Sequence, residues 1–284
     1  MINLDLNVRA ASPDDQNRIA NLIYFEPYVH RHLDWGTPID WLGPAHCWVI
    51  EKNGRINAAL ACPPDPKWMA WLRLFVTNNL ASMHENWQVL WEAARLTLSN
   101  QRPMTVGVIV MHDWLAPLLH DSGFQLLNQI VMLDRTGAPP VAHPLAVDVR
   151  FRPLVEADLP AIAELDAAAF DPLWQNSLAM LRKAYPQSAL TTVAEDQAGH
   201  LIGYQLSTRN SIGAHLARLA VHPQQQGRGL GYALVQGLLN DLARLGIQRL
   251  SVNTQSDNRA SLALYQKLNF TRTREEYPVY VASL

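Results

Sequence analysis

Along the second half of the chain the spacing of hydrophobic positions changes repeatedly, and each change marks an element. Val147, Val149 and Phe151 alternate with Asp148, Arg150 and Arg152, the two-residue period of a strand with one buried face. Helices are predicted near 158–169 and 173–185. Strands near 189–195 and 201–208 follow, joined by Asp196-Gln197-Ala198-Gly199, a hairpin-type turn. A third strand covers 214–221. The helix predicted over 229–245 places Leu230, Leu234, Leu238 and Leu242 on one face at i+4 spacing. A strand at 249–253, a helix at 258–268 and a last strand at 277–283 complete the series. Strands and helices interleaved in this way predict an α/β (α+β) fold with a mixed central sheet flanked by helices.

Upstream, Gly137-Ala138-Pro139-Pro140-Val141-Ala142-His143-Pro144 disfavours helix and central strand alike and reads as a linker over 137–146. The sequences on its two sides match in order. Val8-Arg9 corresponds to Val149-Arg150, Leu72-Arg73-Leu74-Phe75-Val76 to Ala217-Arg218-Leu219-Ala220-Val221, and Ser122-Gly123-Phe124 to Leu268-Asn269-Phe270. The offset drifts by only a few residues, as expected for two copies of one unit. The predicted domains are therefore 1–136 and 147–284.

Composition narrows the function classes. The 284 residues are 49% hydrophobic and 17% charged, with a net charge of -2, so both halves can bury a core. That balance gives no electrostatic footprint for nucleic acid, and no basic amphipathic stretch points to a membrane. Met1-Ile2-Asn3-Leu4-Asp5 lacks the basic and apolar regions of a signal peptide, and no apolar run reaches the ~18 residues of a membrane span. Cys47 and Cys62 form no disulfide framework. A reduced, cytoplasmic protein is expected. The segment Phe25–Trp41 carries His30 and His32 at H-x-H spacing without an evident third ligand, so no metal is expected.

Chemistry concentrates in His222-Pro223-Gln224-Gln225-Gln226-Gly227-Arg228-Gly229-Leu230-Gly231-Tyr232, between an apolar strand and an amphipathic helix. Glycines at 227, 229 and 231 let a ligand approach backbone N–H groups. The first helical turn has unpaired donors and a dipole that favours an anion, so the loop suits a pyrophosphate. Arg228 can add a charge-assisted contact. A Walker A loop is excluded by the missing Lys, and a dinucleotide fingerprint fails at Tyr232, where a third glycine is required.

Gln226-x-x-Gly229-x-Gly231 resembles the Gln/Arg-x-x-Gly-x-Gly/Ala acetyl-CoA motif of the GNAT N-acetyltransferase superfamily. Downstream, Asn258-Arg259-Ala260-Ser261-Leu262-Ala263-Leu264-Tyr265 followed by Asn269-Phe270 resembles its second motif. One departure is Asn269, where the family usually has Gly. The resemblance covers 147–284 strongly and the first half only in outline. It implies that backbone groups of Leu219, Ala220 and Val221 pair with the pantetheine arm of acetyl-CoA, the acyl-donor co-substrate. It implies that backbone N–H groups from Gln226 through Gly227, Arg228, Gly229, Leu230, Gly231 and Tyr232 hold the pyrophosphate. Asn258 would contact the cofactor or cap its helix. Tyr265 occupies the family's usual position for the acid that protonates the departing thiolate; the other reading is a core tyrosine. His215, Glu275, Glu276 and ordered water all stay open as the base. Asp171 and Trp174 are candidate contacts to the acceptor, expected to be a small-molecule or peptide amine.

The first half reads as a degenerate copy. Its equivalent loop, Thr77 to Trp87, has no glycine and no Lys or Arg and carries Glu85, while Leu119 takes the tyrosine position. Neither acetyl-CoA binding nor catalysis is expected there. Eight of nine tryptophans (35, 41, 48, 68, 71, 87, 91 and 114) lie in this half, as packing or as an acceptor pocket. An acetyl-CoA sensor and a transferase of another acyl group are the competing functions. The residues do not reveal the acceptor or the oligomeric state.

Overall fold

The computed structural model describes residues 7–42, 45–78, 82–100, 104–141 and 148–284. Val147, Asn79–Ala81, Ala142–Pro144 and the first five residues, all used in the sequence reading, lie outside that set. The chain forms two compact units, residues 1–127 with 278–284, and 128–277.

In the first unit the elements are β1 (Asn7–Ala10), α1 (Gln16–Phe25), β2 (Tyr28–Arg31), β3 (Cys47–Lys52), β4 (Arg55–Ala61), β5 (Met69–Trp71), β6 (Leu74–Thr77), α2 (Met83–Ser99), β7 (Thr105–Ile109) and α3 (Ala116–Asp121). One sheet runs in the order β1-β3-β4-β6-β2. Asn53 and Gly54, both at positive φ, make the β3–β4 turn, a conformation that Asn-Gly favours. Strand β5 pairs in parallel with β7. Trp48, Trp87 and Trp91 are buried in the unit's own core, with Trp87 stacked on Trp91. Both cysteines are buried and free; burial pushes the Cys47 thiol up to about 12 and raises Cys62 further.

The second unit takes the rest: β8 (Gln125–Thr136, from residue 128 onward), β9 (Arg150–Arg152), α4 (Leu159–Ala169), α5 (Leu178–Gln187), β10 (Leu190–Glu195), β11 (Leu201–Arg209), β12 (Ala214–Val221), α6 (Leu230–Arg244), β13 (Arg249–Gln255), α7 (Arg259–Lys267) and the first part of β14 (Thr271–Ser283). Its strand order is β14-β8-β13-β12-β11-β10-β9. Leu230, Leu234, Leu238 and Leu242 are all buried, which confirms the predicted face of α6.

Three expectations change. The compact units exchange terminal strands: most of β8 belongs with the second unit, through its pairing to β13, and residues 278–284 with the first, through pairing to β7. Cutting the chain at the proline linker therefore misses the units, because β-pairing partners are chosen by backbone geometry that residue pattern does not encode. Helix α5 starts at 178, after a short 3-10 turn at Pro172–Trp174, because the preceding residues are held elsewhere: Asn176 N–H donates to Asp166 and Gln175 to the carbonyls of Ala167 and Phe170. Strand β14 begins at 271 rather than 277; its first residues are charged and mostly exposed, so no apolar alternation announces them.

The internal repeat is visible as chemistry. Arg9 binds Asp15 at 2.6 Å and Glu51 at 2.7 Å, and Arg152 binds Asp158 at 2.7 Å and Glu195 at 2.6 Å. Arg9 thus corresponds to Arg152, two residues beyond the expected Arg150. A two-residue slip keeps every side chain on its own face of a strand, so alternation cannot detect it. Arg73 pairs with Asp34 and lies over Trp41, while Arg218 pairs with Asp166 and lies over Phe170. Gly123 and Asn269 both take positive φ just past a helix end, at 80° and 62°.

Candidate active site

The site begins with a fault in one strand. Along β12, Leu206 faces Arg218 and Ser207 faces Leu216, so Ala217 is an extra residue, a β-bulge. Before it, Ala214–Leu216 pair in parallel with Leu250–Val252 of β13. Beyond it, among the described residues, that pairing stops, while β13 continues along β8 as far as Gln255. The two strands part, and the edge of Leu219–Val221 is left to a slot.

The slot has a volume of about 790 Å³. Leu219, Ala220 and Val221 form one wall; Gln226, Gly227, Gly229, Leu230, Gly231 and Tyr232 close its loop end, and Asn258 lies across from them. Arg228 and Tyr265 are absent from the lining. Arg228 is exposed and donates to Gln225 Oε1 at 3.2 Å. Gly227 and Gly229 have φ of 76° and 87°, backbone that an L side chain adopts only with strain. Gly229 is the N-cap of α6. The first helical bond comes from Ala233 N–H to Gly229 O, so the N–H groups of the first turn have no acceptor within the helix. A Cβ on Gly231 would meet Leu264 at 3.3 Å, so glycine also lets α6 approach α7. Gln226 Nε2 donates to Val221 O at 3.1 Å and ties the loop to the strand.

Asn258 caps α7: its Oδ1 accepts from Ser261 N–H at 3.1 Å, and its amide donates to Gln255. The cap and a place on the slot wall coexist. Tyr265 is 4% exposed, packed with Leu216, Val252 and Phe270 at the base of the parting strands. Burial raises the Tyr265 hydroxyl above its ordinary value, so it keeps its proton at neutral pH. His215 donates to or accepts from Ser251 at 2.9 Å, and burial lowers its pKa, which leaves it neutral. Glu276 pairs with Arg272 at 2.7 Å, and Glu275 receives Tyr277 OH. None of these three base candidates lines the slot.

Sequence reasoning named Asp171 and Trp174 as acceptor contacts, whereas Ala169 and Phe170 are the slot residues from that segment. It also missed Ala260, Ala263 and Lys267 on α7. The small pair at i, i+3 opposite the glycine loop was the available signal.

In the first unit the equivalent place is closed. The strand breaks at Leu72-Arg73, between β5 and β6, as β12 does at Ala217-Arg218. There the freed edge of Leu74–Thr77 is filled by β2, with Val29 opposite Val76 and His30 opposite Phe75. Thr77 is also tied down, accepting from buried Asn86 at 2.8 Å. Leu119, in the tyrosine position, is core. Among the described residues no three His, Cys, Asp or Glu side chains cluster to hold a metal, and no helix is long and apolar enough to cross a membrane.

A parted strand pair and a glycine loop at a helix start accord with the sequence of residues 159–270, which matches the Acetyltransferase (GNAT) family. The [Ribosomal protein bS18]-alanine N-acetyltransferase of Escherichia coli (strain K12) is 31% identical over 109 residues, 34% of this chain and 73% of that protein. The chain is a GNAT acetyltransferase. Another GNAT relative, the N-alpha-acetyltransferase RimI of Mycobacterium tuberculosis (strain H37Rv), is 35% identical over 125 residues, 42% of this chain and 76% of that one. The fold resembles a solved tandem GNAT protein from the clavulanic acid biosynthesis pathway, with a TM-score of 0.62, 18% identity and 98% of both chains covered. Two GNAT-like units in one chain are therefore the architecture, and acyl transfer is the enzyme class.

Proposed function

We propose that the second unit transfers an acetyl group from acetyl-CoA to a primary amine of a small molecule or peptide, by direct attack on the thioester. The observation that carries this reading is the slot that opens where β12 and β13 part, with the outer edge of β12 along one wall and, at one end, the first turn of α6, whose N–H groups have no acceptor within the helix. The edge of Leu219–Val221 suits the amide-bearing pantetheine arm, and the Gly227–Tyr232 backbone suits the pyrophosphate. Relatives named as a [ribosomal protein bS18]-alanine N-acetyltransferase and an N-alpha-acetyltransferase support an amine acceptor. In the reaction the neutral amine forms the new C–N bond, the C–S bond breaks, and the thiolate takes up a proton. Tyr265, protonated at neutral pH and set where the strands part, is the proposed donor.

Release of free thiol from acetyl-CoA, followed across a panel of primary amines, tests the reading. Turnover with at least one amine is expected, and acetyl-CoA binding without thiol release on any of them would instead indicate a cofactor sensor. Tyr265→Phe is expected to lower turnover by ~10²–10⁴-fold while leaving acetyl-CoA affinity in place. Unchanged turnover removes Tyr265 from the mechanism.

A further inference from the structure

Arg135, near the end of β8, is a buried cation with no carboxylate partner among the described residues, whereas Arg9, Arg152 and Arg218 each have one. Its guanidinium bonds three backbone carbonyls instead. Nε donates to Leu268 O at 2.8 Å, Nη1 to Gly137 O at 3.0 Å, and Nη2 to Ala138 O. Leu268 is the C-cap of α7, while Gly137 and Ala138 open the proline-rich segment. Burial holds Arg135 below its ordinary pKa, so the charge is kept there at a cost. Gly137 N–H donates to Gln248 O at 3.2 Å as the chain leaves β8, and the segment then meets α6. Gln236 Nε2, on a residue only 7% exposed, donates to Pro140 O at 2.9 Å. One turn nearer the helix start, Tyr232 OH donates to Val141 O at 3.3 Å. Residues 137–141 are thus bonded to α6 directly and joined to the end of α7 through Arg135, and these are the two helices that line the slot.

We propose that residues 137–141 form a clasp, locked by Arg135, that sets the loop end of the slot for the phosphates of acetyl-CoA, with Arg135 and Gln236 as positioning residues. The inference rests on acetyl-CoA binding in this slot. Tyr232 is the third residue of α6, so its N–H belongs to the first turn that would hold the pyrophosphate, and its hydroxyl is what the clasp grips. At this end the two helices touch, since a Cβ on Gly231 would meet Leu264 at 3.3 Å, and a shift of either helix alters the cradle. A buried arginine that only filled space could give way to an apolar side chain at no loss of stability. A planar fork of five donors is instead the side chain that can join carbonyls of two separate segments. The coupling is reciprocal: if the docked clasp strengthens acetyl-CoA binding, bound acetyl-CoA holds the clasp down by the same factor.

Two variants test this. Gln236→Leu removes one grip at similar volume, and Arg135→Lys keeps the charge without the fork. Calorimetry is expected to show acetyl-CoA affinity about fivefold weaker in the first and about tenfold weaker in the second. With the most active amine of the thiol-release panel, KM for acetyl-CoA should rise in step while kcat stays within about twofold. Acetyl-pantetheine carries the thioester and the arm but no diphosphate or nucleotide, so its kcat/KM should stay within about twofold in Gln236→Leu. In the wild-type protein, saturating acetyl-CoA should slow exchange of the Gly137 amide by about fivefold or more. Wild-type acetyl-CoA affinity in both variants, an equal fall with acetyl-pantetheine, or Gly137 exchange indifferent to acetyl-CoA overturns the inference. A wild-type protein that binds no acetyl-CoA fails the donor reading itself, and the clasp with it.

Discussion

Asn269 shows how one residue can depart from a family pattern at little cost. It follows α7 at a φ of 62°, where Phe270 N–H bonds back to Tyr265 O at 2.9 Å. Asparagine tolerates this left-handed cap better than other side chains bearing a Cβ. Asn269→Ala should therefore cost roughly 1–2 kcal/mol in urea unfolding, and Asn269→Gly should cost nothing or stabilise slightly. Equal stability of the two variants would remove the cap argument. At the same scale, His30 and His32 carry a pH dependence. Burial first, then His112, holds His30 down to about 4, although its Nε2 donates to Leu72 O; burial, Arg73 and His30 hold His32 well below its ordinary value. In the unfolded chain both protonate near pH 6.5. The unfolded state thus binds more protons between those limits, so stability is full above about pH 6.5 and is lost as pH falls toward 4. His30 alone accounts for about 3 kcal/mol of that loss. A urea midpoint that is flat from pH 7 to 5 would contradict this, and His30→Gln should reduce the slope.

At the scale of elements, strand β12 and helix α6 act as one device. The bulge at Ala217 turns β12 away from β13, and two glycines at positive φ carry the chain into α6, whose first turn lines the slot. Gly229→Ala places a Cβ at a φ of 87°, worth about 1–2 kcal/mol of strain. If the loop relaxes out of its shape, acetyl-CoA affinity is expected to fall about tenfold, an energy of similar size. Calorimetric affinity equal to wild type would show that the glycine is not required for the cradle. Much of this device was legible in residues: glycine spacing and the leucine stripe of α6 each have a direct local cause. The bulge was not, because Ala217 looks like any strand residue and becomes extra only when β11 is laid beside it. From the segment after α4 the slot takes Phe170 and not Asp171 or Trp174, a choice that depends on how the connection is laid against β12 and that residue pattern does not record.

For the molecule as a whole, the two units repeat an arginine network, a broken strand and a positive-φ cap, and differ in what occupies the edge beyond the break. Strand β2 fills it in the first unit with backbone hydrogen bonds, whereas the edge of Leu219–Val221 in the second unit faces the slot. Calorimetry should therefore give one acetyl-CoA per chain; two sites would refute the plugged slot, and Tyr265→Phe should leave the count at one. Sequence alone determined the features with short-range causes: helix and strand periods, the glycine loop, the Asn258 cap and the existence of two copies. Only tertiary structure decided which edge is open, which strands end in which unit, and that Tyr265 is buried beside the parting strands rather than on the slot wall. Hydrogen-bonding edges are the same in every strand, so residue pattern carries little record of who pairs with whom. The partner is chosen when the whole sheet assembles, and in this chain that choice separates the edge left open beyond the break in β12 from the edge that β2 already pairs.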